Sequence, residues 1–170
     1  MVLILMGVTA SGKTTVGQQL ADALGWPFYD GDDFHPDENV EKMRHGLPLT
    51  DADRKPWLDR LHALIRDTLA RGGHAVIACS SLRTSYRATL RGGLTDMRFV
   101  YLKVSRQVLK QRIEARQDHF MPPSLLDSQL QTLEEPAESL RIDGAQPPDA
   151  IVQEIRRRLR LDEPRPSHSA

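Results

Sequence analysis

The sequence predicts an α/β fold in which a parallel five-stranded sheet carries helices on both of its faces. Short apolar runs of strand length alternate with stretches of helical periodicity along most of the 170 residues. That alternation is typical of parallel sheets covered by helices on both sides. The first apolar run also leads directly into a glycine-rich loop that opens a helix. No apolar stretch approaches the roughly 18 residues that a membrane-spanning helix needs.

The first three elements follow from the apolar pattern and the residues that interrupt it. Residues 2–6 form a continuous apolar run that ends at Gly7, as expected for a strand buried on both faces. A helix is predicted over 13–24, where apolar residues recur at helical spacing, and Gly25 ends it. Residues 26–30 are predicted to form a second short strand.

The remaining elements repeat the same alternation. A long helix is predicted over 51–71, because its apolar residues share one face. Residues 75–79 and 98–102 are predicted as the third and fourth strands, each followed by helical sequence. A fifth strand at 141–143 and a helix from about 149 to 161 complete the predicted sheet and its cover.

Length and composition indicate one domain over 1–161, followed by a disordered tail rich in Pro and Ser over 162–170. Lys plus Arg and Asp plus Glu both number 23, so the net charge of zero gives no long-range attraction to nucleic acid or to an anionic membrane. Cys79 is the only cysteine, so an intramolecular disulfide is excluded and a reducing, cytoplasmic location is expected. The N-terminus lacks the charged region of a signal peptide. We expect neither a nucleic-acid nor a membrane partner.

The loop after the first strand has the pattern G-x-x-x-x-G-K-[ST] in full, from Gly7 to Thr14. Its two glycines let consecutive N–H groups point inward at phosphate oxygens, and the following helix adds its positive end. Lys13 is expected to reach the β- and γ-phosphates and to be catalytic, and the Thr14 hydroxyl is expected to bind Mg²⁺. The motif predicts binding of ATP with Mg²⁺, through contacts from Gly7, Thr9, Ala10, Ser11, Gly12, Lys13, Thr14 and Thr15. The motif alone does not separate GTPases, motor ATPases and small-molecule kinases.

Two carboxylates follow the second predicted strand. Asp30 and Asp32 are two residues apart, so in extended chain they face the same side, at the sheet edge where ligands bind. We assign Asp30 to the Mg²⁺ side together with Thr14. We assign Asp32 to the hydroxyl of a phosphoryl acceptor, as a catalytic and substrate-binding residue. The alternative is that Asp-Gly-Asp-Asp is only a turn with a helix cap.

The chain resembles the gluconate kinase family over nearly its whole length up to about residue 160. The motifs that carry the resemblance are Asp30-Gly31-Asp32, His35-Pro36, Asp51-Ala52-Asp53-Arg54-Lys55-Pro56-Trp57-Leu58, Cys79-Ser80-Ser81-Leu82-Arg83, Arg112-Ile113-Glu114-Ala115-Arg116 and Gln131-Thr132-Leu133-Glu134-Glu135-Pro136. The resemblance implies a three-layer P-loop kinase fold related to shikimate and adenylate kinases. It also implies ATP as donor, gluconate as the small-molecule substrate, 6-phosphogluconate as product, and a homodimer.

Gluconate carries a carboxylate and a row of hydroxyls, so its pocket needs cations and polar groups. Arg54 at the start of the long helix, and Arg83, Tyr86 and Arg87 after the third strand, are the expected contacts, with His35 for a hydroxyl. The alternatives are solvated arginines on helix faces and a histidine that only fixes a helix entry. Arg83 stands where many members of the family carry Lys, which keeps the charge and changes the geometry.

Residues 112–130 have the character of a helical lid. Arg112 and Arg116 are one helical turn apart, so they share a face and are expected to bind the triphosphate, Arg116 as a catalytic residue. The alternative is an amphipathic helix with exposed cations. The adenine pocket is placed near residues 143–148 by position only.

Two other functions stay open from the residues alone. Shikimate kinase shares the phosphate loop and an Asp-x-Asp after the second strand, although His35-Pro36 and the block 53–57 disfavour it. A nucleotide-sensing switch or scaffold would need no acceptor pocket at all.

Overall fold

A computed structural model of the chain describes residues 1–115 and 123–162. Its strands are β1 (Val2–Met6), β2 (Phe28–Asp30), β3 (Ala75–Ala78), β4 (Met97–Lys103) and β5 (Leu140–Asp143). Its α-helices are α1 (Lys13–Leu24), α2 (Asp37–Arg44), α3 (Asp51–Ala70), α4 (Thr84–Arg91), α5 (Arg106–Glu114), α6 (Pro123–Thr132) and α7 (Pro148–Leu159). A short 3₁₀ turn over Gly31–Phe34 follows β2.

The five strands form one parallel sheet in the order β2-β3-β1-β4-β5, which confirms the predicted fold class. Strand β1 lies in the middle and all five of its residues are buried, because helices cover both faces of the sheet. Alternate residues of β1 therefore enter different cores. Val2, Ile4 and Met6 pack with α3 and α4, whereas Leu3 and Leu5 pack with α1 and α7.

The predicted start of β2 and the predicted end of α7 differ from the structure by two residues, and bounds of α3, β3, β4 and β5 differ by one. Strand β2 begins at Phe28, because the Trp26 ring stacks on His74 with 4.6 Å between ring centroids and stays outside the sheet. Helix α7 begins at Pro148 and ends at Leu159, with a proline in its first turn, where a missing N–H is tolerated.

The chain near its C-terminal end is described only as far as Asp162. Its carboxylate lies 2.6 Å from Arg156 on α7. The rest of the predicted tail, 163–170, lies outside the described residues. No helix in 1–115 or 123–162 is long and apolar enough to cross a membrane.

The fold brings the ends of three neighbouring strands to one edge. The loop after β1, the 3₁₀ turn after β2 and the loop after β3 lie at the carboxyl end of the sheet, where ligands bind in open α/β folds. Gly7 N–H bonds to the Ser80 carbonyl at 3.4 Å across this edge. A Cβ at Gly31 would lie 2.6 Å from the Ala78 carbonyl, so only glycine lets the 3₁₀ turn pack this closely on β3.

Candidate active site

The loop between β1 and α1 has the conformation that a phosphate cradle requires. Gly7 and Gly12 have φ of 147° and 96°, in the region that favours glycine. A Cβ at Gly7 would lie 2.9 Å from Ser11 Oγ and 3.0 Å from the Leu102 carbonyl, so a side chain has no room there. Lys13 Nζ donates to the Val8 carbonyl at 3.0 Å, which places the amine over the loop. The contiguous residues predicted to bind phosphate are thus held in one tight turn at the start of α1.

Thr14 and Asp30, the two residues predicted for the metal side, are in direct contact. Thr14 Oγ1 donates to Asp30 Oδ2 at 3.0 Å. The other oxygen of Asp30 accepts from the Asp32 backbone N–H at 3.1 Å and so caps the 3₁₀ turn. The structure therefore combines both interpretations of Asp-Gly-Asp-Asp: Asp30 is a cap and also lies beside the cradle.

Asp32 lies on the 3₁₀ turn at the same edge. Asp32 is exposed, but the protein around its carboxyl still removes part of its hydration, and this desolvation raises its pKa. The neighbouring Asp30 carboxylate raises that pKa further, while the Lys13 ammonium lowers it. Lys13 and Asp32 are thus within electrostatic reach of each other.

Three of the predicted acceptor residues converge on a carboxylate of the chain itself. Tyr86 Oη donates to Asp51 Oδ1 at 2.5 Å, and Arg83 Nη1 donates to Asp51 Oδ2 at 2.9 Å. Arg54 Nη1 lies 3.8 Å from Asp51 Oδ1 and bonds to Tyr86 Oη at 3.3 Å and to the Leu49 carbonyl at 2.7 Å. The Tyr86 hydrogen bond, followed by Arg83 and Arg54, lowers the pKa of Asp51. We call Asp51, Arg54, Arg83 and Tyr86 the Asp51 cluster.

Arg87 lies apart from the Asp51 cluster. It is buried, and its Nη1 donates to the carbonyls of Ser81 at 2.8 Å and Leu82 at 3.1 Å, while Nη2 donates to Thr84 Oγ1. Ser81 has a φ of 47°, which is uncommon for a residue other than glycine. The described contacts of Arg87 therefore hold the loop between β3 and α4 in a strained conformation.

His35 is packed between the 3₁₀ turn and α3. Its ring stacks on Trp57 with a centroid distance of 4.4 Å, and its Nδ1 lies 3.3 Å from Asn39 Nδ2. Burial, and then the charge of Arg54, lower the pKa of His35 to about 4. The imidazole is neutral at neutral pH, as a helix-entry histidine in a packed site should be.

Arg112 on α5 reaches across the phosphate cradle. Its Nη1 approaches the Ala10 and Ser11 carbonyls at 3.3 and 3.4 Å, and its Nη2 donates to the Gly144 carbonyl at 2.8 Å. A cleft of about 350 Å³ opens beside it. The residues that line this cleft are Ala10, Ser11, Gly12, Thr15, Val16, Arg112, Ala115, Gly144, Gln146, Pro148 and Ile151. Part of the segment predicted for the adenine site, 143–148, lines this cleft. Arg116 lies outside the described residues.

Sequence reasoning missed three residues of this site. Asp51 lies at the centre of its cluster, Gln129 Oε1 accepts from the Thr9 N–H at 2.7 Å, and Glu134 Oε2 accepts from the Thr84 N–H at 2.7 Å. Gln129 lies on α6 and Glu134 lies just after this helix. Both residues are far along the chain from the residues that they contact. Asp51 lay inside a motif that was quoted for the family resemblance, but its position beside two arginines was not foreseen.

The chain is similar to known proteins over most of its length. A family profile described as an AAA domain matches residues 2–136. The gluconokinase of Gluconobacter oxydans (strain 621H) is 46% identical over 164 residues, which cover 95% of this chain and 92% of that protein. A solved gluconokinase from Sinorhizobium meliloti 1021 superimposes with a TM-score of 0.79 at 42% identity, covering 95% and 97% of the two chains. A shikimate kinase from Aquifex aeolicus vf5 has a TM-score of 0.60 at 22% identity over 95% and 98%, which shows a common fold alone.

The depressed pKa of His35 predicts that the free energy of unfolding falls as the pH drops from about 6.5 towards 4. His35 titrates near 4 in the folded chain and at its ordinary value of 6.5 when unfolded, so only the unfolded chain binds this proton in that window. Its contribution to stability is present above pH 6.5 and is lost below it. Urea unfolding of the parent and of His35→Gln across this range should give curves whose difference shrinks as the pH falls.

The control for this measurement is His45→Gln. His45 is exposed and lies 3.4 Å from the exposed carboxylate of Glu41, a surface pair of little strength, so its replacement should change the pH dependence much less than that of His35. Parallel curves for the parent and His35→Gln would show that the His35 ring is not held neutral by its surroundings.

Proposed function

This chain belongs to the gluconokinase family of P-loop kinases, and from that premise we propose that it transfers the γ-phosphoryl group of ATP to the terminal hydroxyl of D-gluconate. The products are 6-phospho-D-gluconate and ADP. One observation of the site carries the proposal. A complete phosphate cradle follows β1, Arg83 and Tyr86 follow the neighbouring strand β3 and meet Arg54 of α3, and Asp32 lies on the turn at the same edge of the sheet.

The nucleotide side of the proposal rests on the cradle and on Arg112. The backbone N–H groups of 7–14 would bind the phosphates together with Lys13 Nζ, and Arg112 lies where its charge would add to theirs. The cleft between the cradle and α7 is wide enough for an adenine base. Thr14 and Asp30 have the oxygen ligands that Mg²⁺ prefers and touch each other beside the cradle, so we assign the ion to them. When bound there, Mg²⁺ neutralises charge on the phosphates.

The acceptor side of the proposal rests on charge. Arg54 and Arg83 carry two positive charges and Asp51 one negative charge, so the Asp51 cluster keeps one net positive charge for the single carboxylate of gluconate. Asp32 would then accept a hydrogen bond from the terminal hydroxyl. Its raised pKa suits a group that takes a proton during transfer. His35, neutral in its stack, and Arg87, bonded to the loop after β3, would shape this pocket.

The chemistry that these residues perform is mainly positioning and charge neutralisation. Phosphoryl transfer passes through a loose transition state, so orienting the hydroxyl in line with the γ-phosphorus contributes more than abstracting its proton. Lys13 and Arg112 would stabilise charge on the transferred group. Arg116 and a lid over about 112–130 remain part of the proposal, since a closed lid would exclude water from the reacting group. Helix α6, which falls largely within this segment, already packs on the cradle through Leu126, as it would in a closed lid.

We also propose a homodimer and a cytoplasmic location. The dimer follows from the family resemblance and is tested by sedimentation of the purified protein. A reducing compartment suits the single Cys79, whose thiol is buried and whose pKa burial raises to about 11, so that it is poorly reactive.

The experiment that tests the function measures ADP release from Mg·ATP with gluconate, with shikimate, with other sugar acids and without acceptor. A large rise with gluconate alone supports the proposal. Activity with shikimate alone would show that gluconate is not the acceptor, and it would leave the assignment of the fold unchanged. No rise with any acceptor would favour a nucleotide switch.

Asp32→Asn should lower kcat by about 10²–10⁴-fold, because it removes the group that orients the hydroxyl and takes its proton. The KM for ATP should stay nearly the same, since the cradle is untouched. The matched control is Asp33→Asn, the adjacent exposed carboxylate, which should keep near-parental kcat. An equal loss of ATP affinity in Asp32→Asn would contradict the assignment to the acceptor side.

Arg54→Gln should raise the KM for gluconate by about 10–100-fold, the range that a lost hydrogen bond to a charged group gives. ATP affinity should change little. Lys55→Gln is the control, because Lys55 is the next residue on α3 and its ammonium pairs with Asp59 at the surface. Steady-state kinetics with each substrate varied in turn gives both constants. A gluconate KM that stays at the parental value would place the acceptor carboxylate elsewhere.

A further inference from the structure

Gln129 forms a hydrogen bond to the phosphate cradle, and this bond has no role in the proposed phosphoryl transfer. Its Oε1 accepts from the Thr9 N–H at 2.7 Å, across 120 positions of sequence. The N–H groups of this loop are the groups that bind phosphate oxygens in the nucleotide complex. An uncharged amide oxygen therefore bonds to a group that a phosphate oxygen would otherwise use.

The position of Thr9 indicates which phosphate is concerned. Lys13 Nζ, which reaches the β- and γ-phosphates in such sites, donates to the carbonyl of Val8, the residue before Thr9. The inner phosphates belong to the other end of the loop, where Gly12 leads into the N-terminus of α1. Thr9 N–H consequently lies at the γ-phosphate end of the cradle.

Helix α6 is held against the loop by more than this one bond. Leu126 is buried with Val8 and Ala10, the two residues on either side of Thr9, and Leu130 packs on the same apolar cluster. Packing of this kind fixes the helix, so the Gln129 side chain is aimed at the loop by its backbone. It is not a freely moving surface amide.

The C-terminal end of α6 is tied to the acceptor side. Glu134 N–H bonds to the Leu82 carbonyl at 2.9 Å, and Glu134 Oε2 accepts from the Thr84 N–H at 2.7 Å. Leu82 and Thr84 flank Arg83 of the Asp51 cluster. One short stretch of chain thus contacts the γ-phosphate end of the cradle and the loop that carries the proposed acceptor residues.

We propose that Gln129 binds the γ-phosphoryl group. The γ-phosphate oxygen replaces Gln129 Oε1 on the Thr9 N–H, and the released carboxamide turns its NH₂ to donate to the same oxygen. A glutamine is suited to this exchange because one side chain offers both an acceptor and two donors without charge. A carboxylate at this position would bond to the N–H equally well but would repel the phosphate. The inference rests on the proposed kinase function, which supplies the transferred phosphoryl group.

Two variants test the exchange. Gln129→Leu keeps a similar volume and removes both bonds, so kcat should fall about 10–100-fold, as for loss of a donor to a charged group. Gln129→Glu keeps an oxygen that accepts the Thr9 hydrogen bond and adds a negative charge. The affinity of this variant for the β,γ-imido analogue of ATP should therefore fall at least about 10-fold, the scale of one lost charge-assisted contact. The affinity of both variants for ADP should stay near the parental value, because ADP has no γ-phosphate.

The matched control is Gln131→Leu. Gln131 is exposed two positions further along α6, and its replacement should leave kcat and both affinities near the parental values. Thermal unfolding of each variant shows whether it is folded at the assay temperature.

Three outcomes would overturn the proposal: a parental kcat in Gln129→Leu, a parallel loss of ADP and ATP-analogue affinity, or an equal effect of Gln131→Leu. The nucleotide affinities are measured without acceptor. They therefore decide the role of Gln129 even if the protein phosphorylates an acid other than gluconate.

Discussion

The site depends on one buried hydrogen bond, from Trp57 Nε1 to the Gly31 carbonyl at 2.7 Å. It ties α3, which carries Asp51 and Arg54, to the turn that carries Asp30 and Asp32. Both groups are away from water, so losing either one would leave the other buried without a partner, at a cost of about 1–3 kcal/mol. The same indole ring stacks on His35. Trp57 thus helps to position the acceptor side and the metal side of the site relative to each other.

Around this anchor, charged groups of the site are oriented by other groups of the protein. One carboxylate oxygen of Asp30 accepts a hydrogen bond from the backbone of the 3₁₀ turn, and the other accepts one from Thr14. The carboxylate of Asp51 accepts hydrogen bonds from Arg83 and Tyr86. Such preorganisation limits the side-chain entropy that substrate binding would otherwise have to overcome. Arg87, which is predicted to bind substrate, also holds the loop after β3 through its bonds to two carbonyls.

Sequence reasoning succeeded where the signal is contiguous. The buried run of β1, the cradle and helix α1 were predicted with the observed bounds, because each is a local pattern of apolar residues and glycines. The pairing of Thr14 with Asp30 followed from knowing that parallel strands end at one edge. The turn after β2 was predicted only as an alternative, since its 3₁₀ form depends on Gly31 packing against the Ala78 carbonyl of another strand.

The sequence by itself determined the fold class, the phosphate cradle and the resemblance to gluconate kinases, since each depends on patterns of residues that are close together along the chain. Only the tertiary structure decided that Arg83 reaches Asp51 and that Gln129 reaches Thr9. Hydrogen bonds between residues far apart along the chain have no periodicity and no preferred spacing. They exist only because the sheet and its helices bring those residues within about 3 Å of each other, the distance at which a hydrogen bond forms.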